Sequence, residues 1–160
     1  MNADAILGYI TDPAFASRRV HHVDIGWGDA VKPRQLVTAD TGVRVRILMP
    51  RGTFLHDGAV IADDGEQVVV VRRPAEPAVV ARFDQNDPRA MLLLGYVLGN
   101  QHAPVDISAD SVAAPLFTSA HAAEHLLADL GVVGKVADVP LAADGWSRTS
   151  ASHAHSHSHD

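Results

Sequence analysis

Ten histidines and no cysteine occur in this chain of 160 residues, so imidazole nitrogen is its best donor for a borderline transition-metal ion. Four of them, His153, His155, His157 and His159, alternate with Ala and Ser in the closing stretch ASHAHSHSHD. Nothing there can build a core, so the stretch reads as a disordered arm whose chemical asset is imidazole. Its Ala and Ser interruptions set it apart from an uninterrupted purification tag. Closely spaced neutral ligands bind through high local concentration, while ordering the arm costs entropy. Such a site suits capture and release better than permanent storage.

His102 closes the segment Gly99-Asn100-Gln101-His102, just beyond a helix, and would be held near a rigid element. Alone it is either a weak ligand or an ordinary surface or capping histidine. Two copies meeting on a two-fold axis would make a better site. His121 and His125 are four apart on a second helix and share a face, which fits either a peripheral metal site or a plain helix surface. The zinc-peptidase pattern needs a glutamate directly after the first histidine; Ala122 stands there, so that motif fails. His21-His22 reads as surface decoration and His56-Asp57 as a turn. No nucleophile elbow or phosphate loop occurs, so the chain is not expected to be an enzyme.

The elements that position these residues fall into two rhythms. Up to about Arg73 there are short strands broken by turns: Val43 to Met49 alternates, and Ala59 to Ala62 and Gln67 to Val71 flank the turn Asp63-Asp64-Gly65. Residues 72 to 77, with Pro74 and Pro77, read as a linker. Then come a strand (Ala78 to Phe83), a helix, two strands, a second helix (Ser119 to Leu130) and a strand (Lys135 to Leu141). The first helix starts from Asp87-Pro88, with Gly99 expected as the left-handed residue that ends it. The fold class is α+β. It comprises a β-rich N-terminal domain over 1–74, a ferredoxin-like β-α-β-β-α-β domain over 75–147, and the histidine-rich tail over 148–160.

Composition narrows the partners. A formal charge of −6 argues against nucleic-acid binding, and Arg18-Arg19 and Arg72-Arg73 read as ordinary surface charges. Without cysteine there is no disulfide, thiolate catalysis or iron–sulfur site. No basic-then-apolar leader opens the chain, and Met91 to Leu98 is too short to span a bilayer. A soluble cytoplasmic protein with no membrane partner is expected.

The segment GYVLGNQHAPVDI, Gly95 to Ile107, resembles the UreE family of urease accessory nickel metallochaperones, in which a helix ends in Gly-Asn-x-His-x-Pro before a strand. Here Gly99, Asn100, His102 and Pro104 match. LMPRGTFLHDGAVIADDGEQVVVV, Leu48 to Val71, is similar to that family's Pro-Arg-Gly-Thr and Asp-Gly run. The resemblance implies a homodimer with His102 as principal Ni(II) ligand, paired with its copy and completed by tail histidines. It also implies delivery to the urease apoprotein–accessory complex together with an accessory GTPase, while the N-terminal domain makes protein contacts. His121 resembles one member of a secondary pair whose other place is Ser119 here. Zn(II) or Cu(II) would compete, because ligand chemistry does not select nickel. The alternatives are a histidine-based metal store or an interaction module with incidental histidines.

Overall fold

Four consecutive valines, Val68–Val71, shape the first part of the chain, because a strand of branched apolar residues must be covered on both faces. All four are buried in the computed structural model, which describes residues 1–84 and 87–142. The chain divides into two units: Met1–Glu76 with the described residues from Asp138 onward, and Pro77–Ala137. His153, His155, His157 and His159, with the arm read over 148–160, lie outside the described residues.

Along the first unit run β1 (Asn2–Ala3), β2 (Gly8–Tyr9), β3 (Arg19–Asp24), β4 (Arg34–Thr38), β5 (Arg44–Leu48), β6 (Ala59–Asp63) and β7 (Gln67–Arg72). They form two sheets, ordered β1-β5-β4 and β2-β6-β7-β3. In β5 the alternation is literal: Val45 and Ile47 are buried, and Arg44, Arg46 and Leu48 face outward. From β7, Val69 and Val71 join Val23, Val45, Ile47 and Ile61 in a core shared by both sheets. Val68 and Val70 pack on the opposite face against Phe15, which a short 3-10 helix, Pro13–Phe15, supplies. The β6–β7 turn closes as Asp63-Asp64-Gly65 suggests: the Asp64 carboxylate accepts the Gln67 amide at 2.9 Å.

Two groups that read as surface decoration are interior. Arg73 is only 4% exposed. Its guanidinium donates to the Leu141 carbonyl at 2.9 Å and to the Leu55 and Ala142 carbonyls at 3.4 Å, and lies 5.4 Å from the centre of the Phe54 ring. Burial pulls its pKa down, while the Glu76 and Asp57 carboxylates push it back up. His21 is buried because it faces inward from β3; its Nδ1 meets the Thr41 hydroxyl and its Nε2 lies 2.8 Å from Gln67 Oε1. His22 points the other way, toward Asp40 at 3.3 Å. The side-chain alternation of a strand separates neighbours that look equivalent in sequence.

The second rhythm gives β8 (Ala75–Arg82), α1 (Pro88–Asn100), β9 (Asp106–Ile107), β10 (Ser111–Pro115), α2 (Ala120–Asp129) and β11 (Gly134–Pro140). The sheet order β11-β8-β10-β9 is the ferredoxin-like arrangement. β8 begins inside the stretch read as a linker. Pro77 is accommodated there because its neighbour needs only its carbonyl, which accepts the Leu116 amide at 3.0 Å. Asp87 caps α1 by accepting from the Ala90 amide at 2.9 Å, and Ser119 caps α2 through the Ala122 amide at 3.2 Å. Ala90, Leu94 and Leu98 of α1 and Ala123 and Leu127 of α2 share one core with Val79, Ala81, Val112 and Ala114, so both helices cover the same face of the sheet.

Arg73→Ala is expected to lower the unfolding free energy by about 2–3 kcal/mol, because three carbonyls lose a buried donor. Urea unfolding of the full chain measures this. A change no larger than that for an exposed arginine such as Arg44 would contradict the interior role.

Candidate metal centre

The placement of His102 begins with the end of a helix. The last carbonyls of α1 have no partner within it and must be met from beyond. α1 runs past Gly99 to Asn100, Gln101 keeps a right-handed conformation, and His102 turns left-handed with φ of 52°. From there the His102 amide donates to the Gly99 carbonyl at 3.0 Å and the Ala103 amide to the Leu98 carbonyl at 3.1 Å. This double closure is the Schellman motif. The expectation that Gly99 would be the left-handed residue is therefore corrected: the turn comes three residues later, at a histidine.

α2 ends by the same device. Gly131, with φ of 72°, donates to the Ala128 carbonyl at 3.0 Å, and Val132 donates to the Leu127 carbonyl at 2.9 Å. Glycine occupies that position at no steric cost, whereas a residue with a Cβ pays about 1–2 kcal/mol there. One fold thus closes two helices identically, with the permissive residue at one and a strained histidine at the other. The His102 side chain is exposed, on a backbone pinned by two hydrogen bonds and followed by Pro104.

Beside this turn lies an apolar groove of about 320 Å³, lined among others by Met91, Gly95, Gly99, Ala103, Val105 and Ile107. Next to it, Leu92 and Tyr96 on the outward face of α1 are 74% and 71% exposed. Their four-residue spacing, offset from buried Leu94 and Leu98, was the available sequence signal for a second apolar face. Among the described residues no group of three His, Asp or Glu side chains is placed to hold a metal. His102 within one chain is a single donor.

His121 and His125 do come together. Both are exposed on α2, with ring centroids 4.4 Å apart and planes at 85°. Glu124 lines the same shallow depression. Ser119, in the place where a second histidine was looked for, is occupied as the helix cap. The four tail histidines lie outside the described residues. In the first unit, His21 and His22 are engaged by Thr41, Gln67 and Asp40, and His56 packs against the Phe54 ring at 5.0 Å.

Comparison with known proteins gives two family matches. The model described as UreE urease accessory protein, N-terminal domain, matches residues 3–73, and that for the C-terminal domain matches residues 66–160. A protein named urease accessory protein UreE from Burkholderia lata is 47% identical over 77 residues, covering 48% of this chain and 36% of its own length. The protein of that name from Paraburkholderia xenovorans is 38% identical over 94 residues, covering 58% of this chain and 40% of its own length. The one from Paracidovorax citrulli is 30% identical over 115 residues, covering 71% and 51% respectively. The matched segments thus span between about a third and a half of these relatives.

His102→Gly is expected to raise the unfolding free energy by about 1 kcal/mol, since it relieves the left-handed strain and keeps both closing hydrogen bonds. Thermal or urea unfolding of the metal-free chain reads it out. A loss of stability would mean that the imidazole itself holds the turn.

Proposed function

The chain belongs to the UreE family of urease accessory proteins, and on that premise we propose that it is a homodimeric carrier of Ni(II) for urease assembly. Membership makes it an accessory protein of urease maturation rather than an enzyme. The observation that carries the proposal is His102: an exposed imidazole on a left-handed turn where glycine would be cheaper. Strain kept at an exposed ligand-type side chain points to a use for that side chain.

A lone imidazole holds nickel weakly, so the carrier needs a second copy. The uncovered Leu92–Tyr96 face and the groove beside the His102 turn supply apolar surface for one. Two-fold symmetry would then repeat His102 across the interface and give one ion two rigid donors. His153, His155, His157 and His159 would complete the coordination and exchange the ion, and His121 would be a secondary ligand. In this reading residues 1–74 make protein contacts, 75–147 hold metal and form the dimer, and 148–160 capture the ion. The recipients are the urease apoprotein–accessory complex and its GTPase, in the cytoplasm. Zn(II) and Cu(II) compete for the same nitrogens, so nickel preference must come from supply and partners.

Calorimetric titration with Ni(II) tests this on the full chain, a truncation before Ser152 and His102→Ala, with mass measured alongside. His102→Ala is expected to weaken the tightest step by more than about a hundredfold, beyond the roughly 10–100-fold that loss of an outer-shell partner costs. Loss of that step only on truncation would transfer the principal role to the tail. Protons compete for imidazole nitrogen, so binding should weaken on acidification. A charge at the uncovered helix face, Leu92→Asp, is expected to shift the chain to monomer by light scattering and to weaken Ni(II) binding in step. A tight-binding monomer would sink the shared site.

A further inference from the structure

A strand at the edge of a sheet keeps one row of backbone groups that no neighbouring strand uses. β4 is such a strand, at the end of the order β1-β5-β4. The Ala39 amide donates to the Val43 carbonyl and the Met49 amide to the Pro33 carbonyl, each at 2.8 Å, so the odd-numbered positions of β4 face β5. The even-numbered ones face the other way, and the Asp40 amide accordingly donates to the His22 carbonyl at 2.9 Å. Short of that point Arg34, Leu36 and Thr38 are exposed, and among the described residues their amides have no partner on the open side.

The outward side chains of the same hairpin are of one sign. Arg34 stands opposite Leu48, Leu36 opposite Arg46 and Thr38 opposite Arg44, all of them exposed. Among the described residues Arg34, Arg44 and Arg46 form no ion pair, whereas Arg18 and Arg72 of the same unit are held by Asp63 and Asp24. Asp40, the one acid among residues 34–48, is turned to His22 and Arg72. In a chain of formal charge −6 this is a local excess of positive charge. Leu36, 63% exposed, stands beside it in a shallow depression of about 350 Å³ that Arg34, Arg46 and Leu48 also line. A second copy fits poorly here, since pairing two such edges would set arginine against arginine. A carboxylate-bearing strand fits on both counts: its backbone meets the open amides, and its carboxylates pair with guanidinium groups in two-point contacts.

We propose that β4 is the docking edge for an extended acidic segment of another protein, which joins the sheet as a further strand beside Arg34–Thr38. This rests on the protein-contact role given above to residues 1–74, and it supplies the surface and the partner chemistry. Side chains directly across neighbouring strands stand about 5 Å apart, so the incoming segment places every second residue beside Arg34, Leu36 and Thr38. Opposite Arg34 an acid is favoured. Opposite Leu36 an apolar residue covers the leucine. Opposite Thr38 an acid is favoured again, because the short threonine side chain leaves Arg44, one strand further in, within reach of a glutamate. The segment is therefore read as acid, apolar, acid at alternate places.

The probe is the capped peptide Thr-Glu-Thr-Val-Thr-Glu-Thr, which presents that pattern in either strand direction. It is titrated to millimolar concentration into the isotope-labelled full chain, free of metal, and followed by NMR. Amide shifts and slowed hydrogen exchange are expected at Arg34, Leu36 and Thr38. Lysine in place of both peptide glutamates should weaken binding at least about tenfold, as should the double variant Arg34→Glu, Arg44→Glu. Combining the lysine peptide with the double variant should restore it. All substituted positions are exposed, and far-UV circular dichroism checks that the variant is folded. A peptide with N-methylated amides should not bind, because charge without strand pairing is insufficient. Absence of shifts at β4, equal binding of the glutamate and lysine peptides, or full binding of the N-methylated peptide would overturn the docking edge. Binding to phosphatidylserine vesicles in place of the peptide would also overturn it, assigning the patch to a lipid surface. The carrier reading fails separately: undiminished tight Ni(II) binding in His102→Ala would sink it and leave β4 untouched.

Discussion

The carbonyls of Leu98 and Gly99 need donors that α1 cannot provide, and the amides of Ala103 and His102 meet that need only if the chain passes through a left-handed residue. Much of the candidate site follows from this constraint. The left-handed residue is a histidine, so its backbone is pinned while its ring is offered to solvent. The same reversal sends the chain through Pro104 toward β9, along the apolar groove that borders α1. Position and accessibility of the imidazole are thus settled by how a helix ends.

In the proposed carrier, a pinned ring with one donor atom is half a site. α1 spends one face on the core through Ala90, Leu94 and Leu98 and leaves Leu92 and Tyr96 uncovered on the other. Exposed aromatic and aliphatic side chains in line on one helix are costly to leave in water. In the proposed carrier, an incomplete ligand set and an uncovered apolar face would both be satisfied by one event, the arrival of a second copy. On α2 the balance differs: its outward positions carry His121, Glu124 and His125, which water solvates well, so that face has no need of a covering partner.

In the first unit, histidine serves structure. His21 bridges the Thr41 hydroxyl and the Gln67 amide from inside the fold, and His22 lies against Asp40. The His22 backbone amide, foremost among the groups around it, holds the Asp40 carboxyl below its usual range. Arg73 joins the Leu55 carbonyl to those of Leu141 and Ala142, residues far apart in the chain. The described histidines of this unit are thus engaged or packed.

Local pattern determined a good deal. Asp87-Pro88 marked the start of α1, the alternation of β5 showed its buried face, and the strand-helix rhythm after Pro77 pointed to the ferredoxin-like class. These are short-range effects of capping and side-chain periodicity, and a sequence carries them openly. Tertiary structure decided the rest. Whether Arg73 is a surface charge or an interior clamp depends on carbonyls delivered from residues 55, 141 and 142. The parallel pairing of β3 with β7 joins strands more than forty residues apart, which no local signal encodes. That α1 closes through His102 and not through Gly99 was settled at the helix end itself, where the His102 and Ala103 amides reach back to the Gly99 and Leu98 carbonyls.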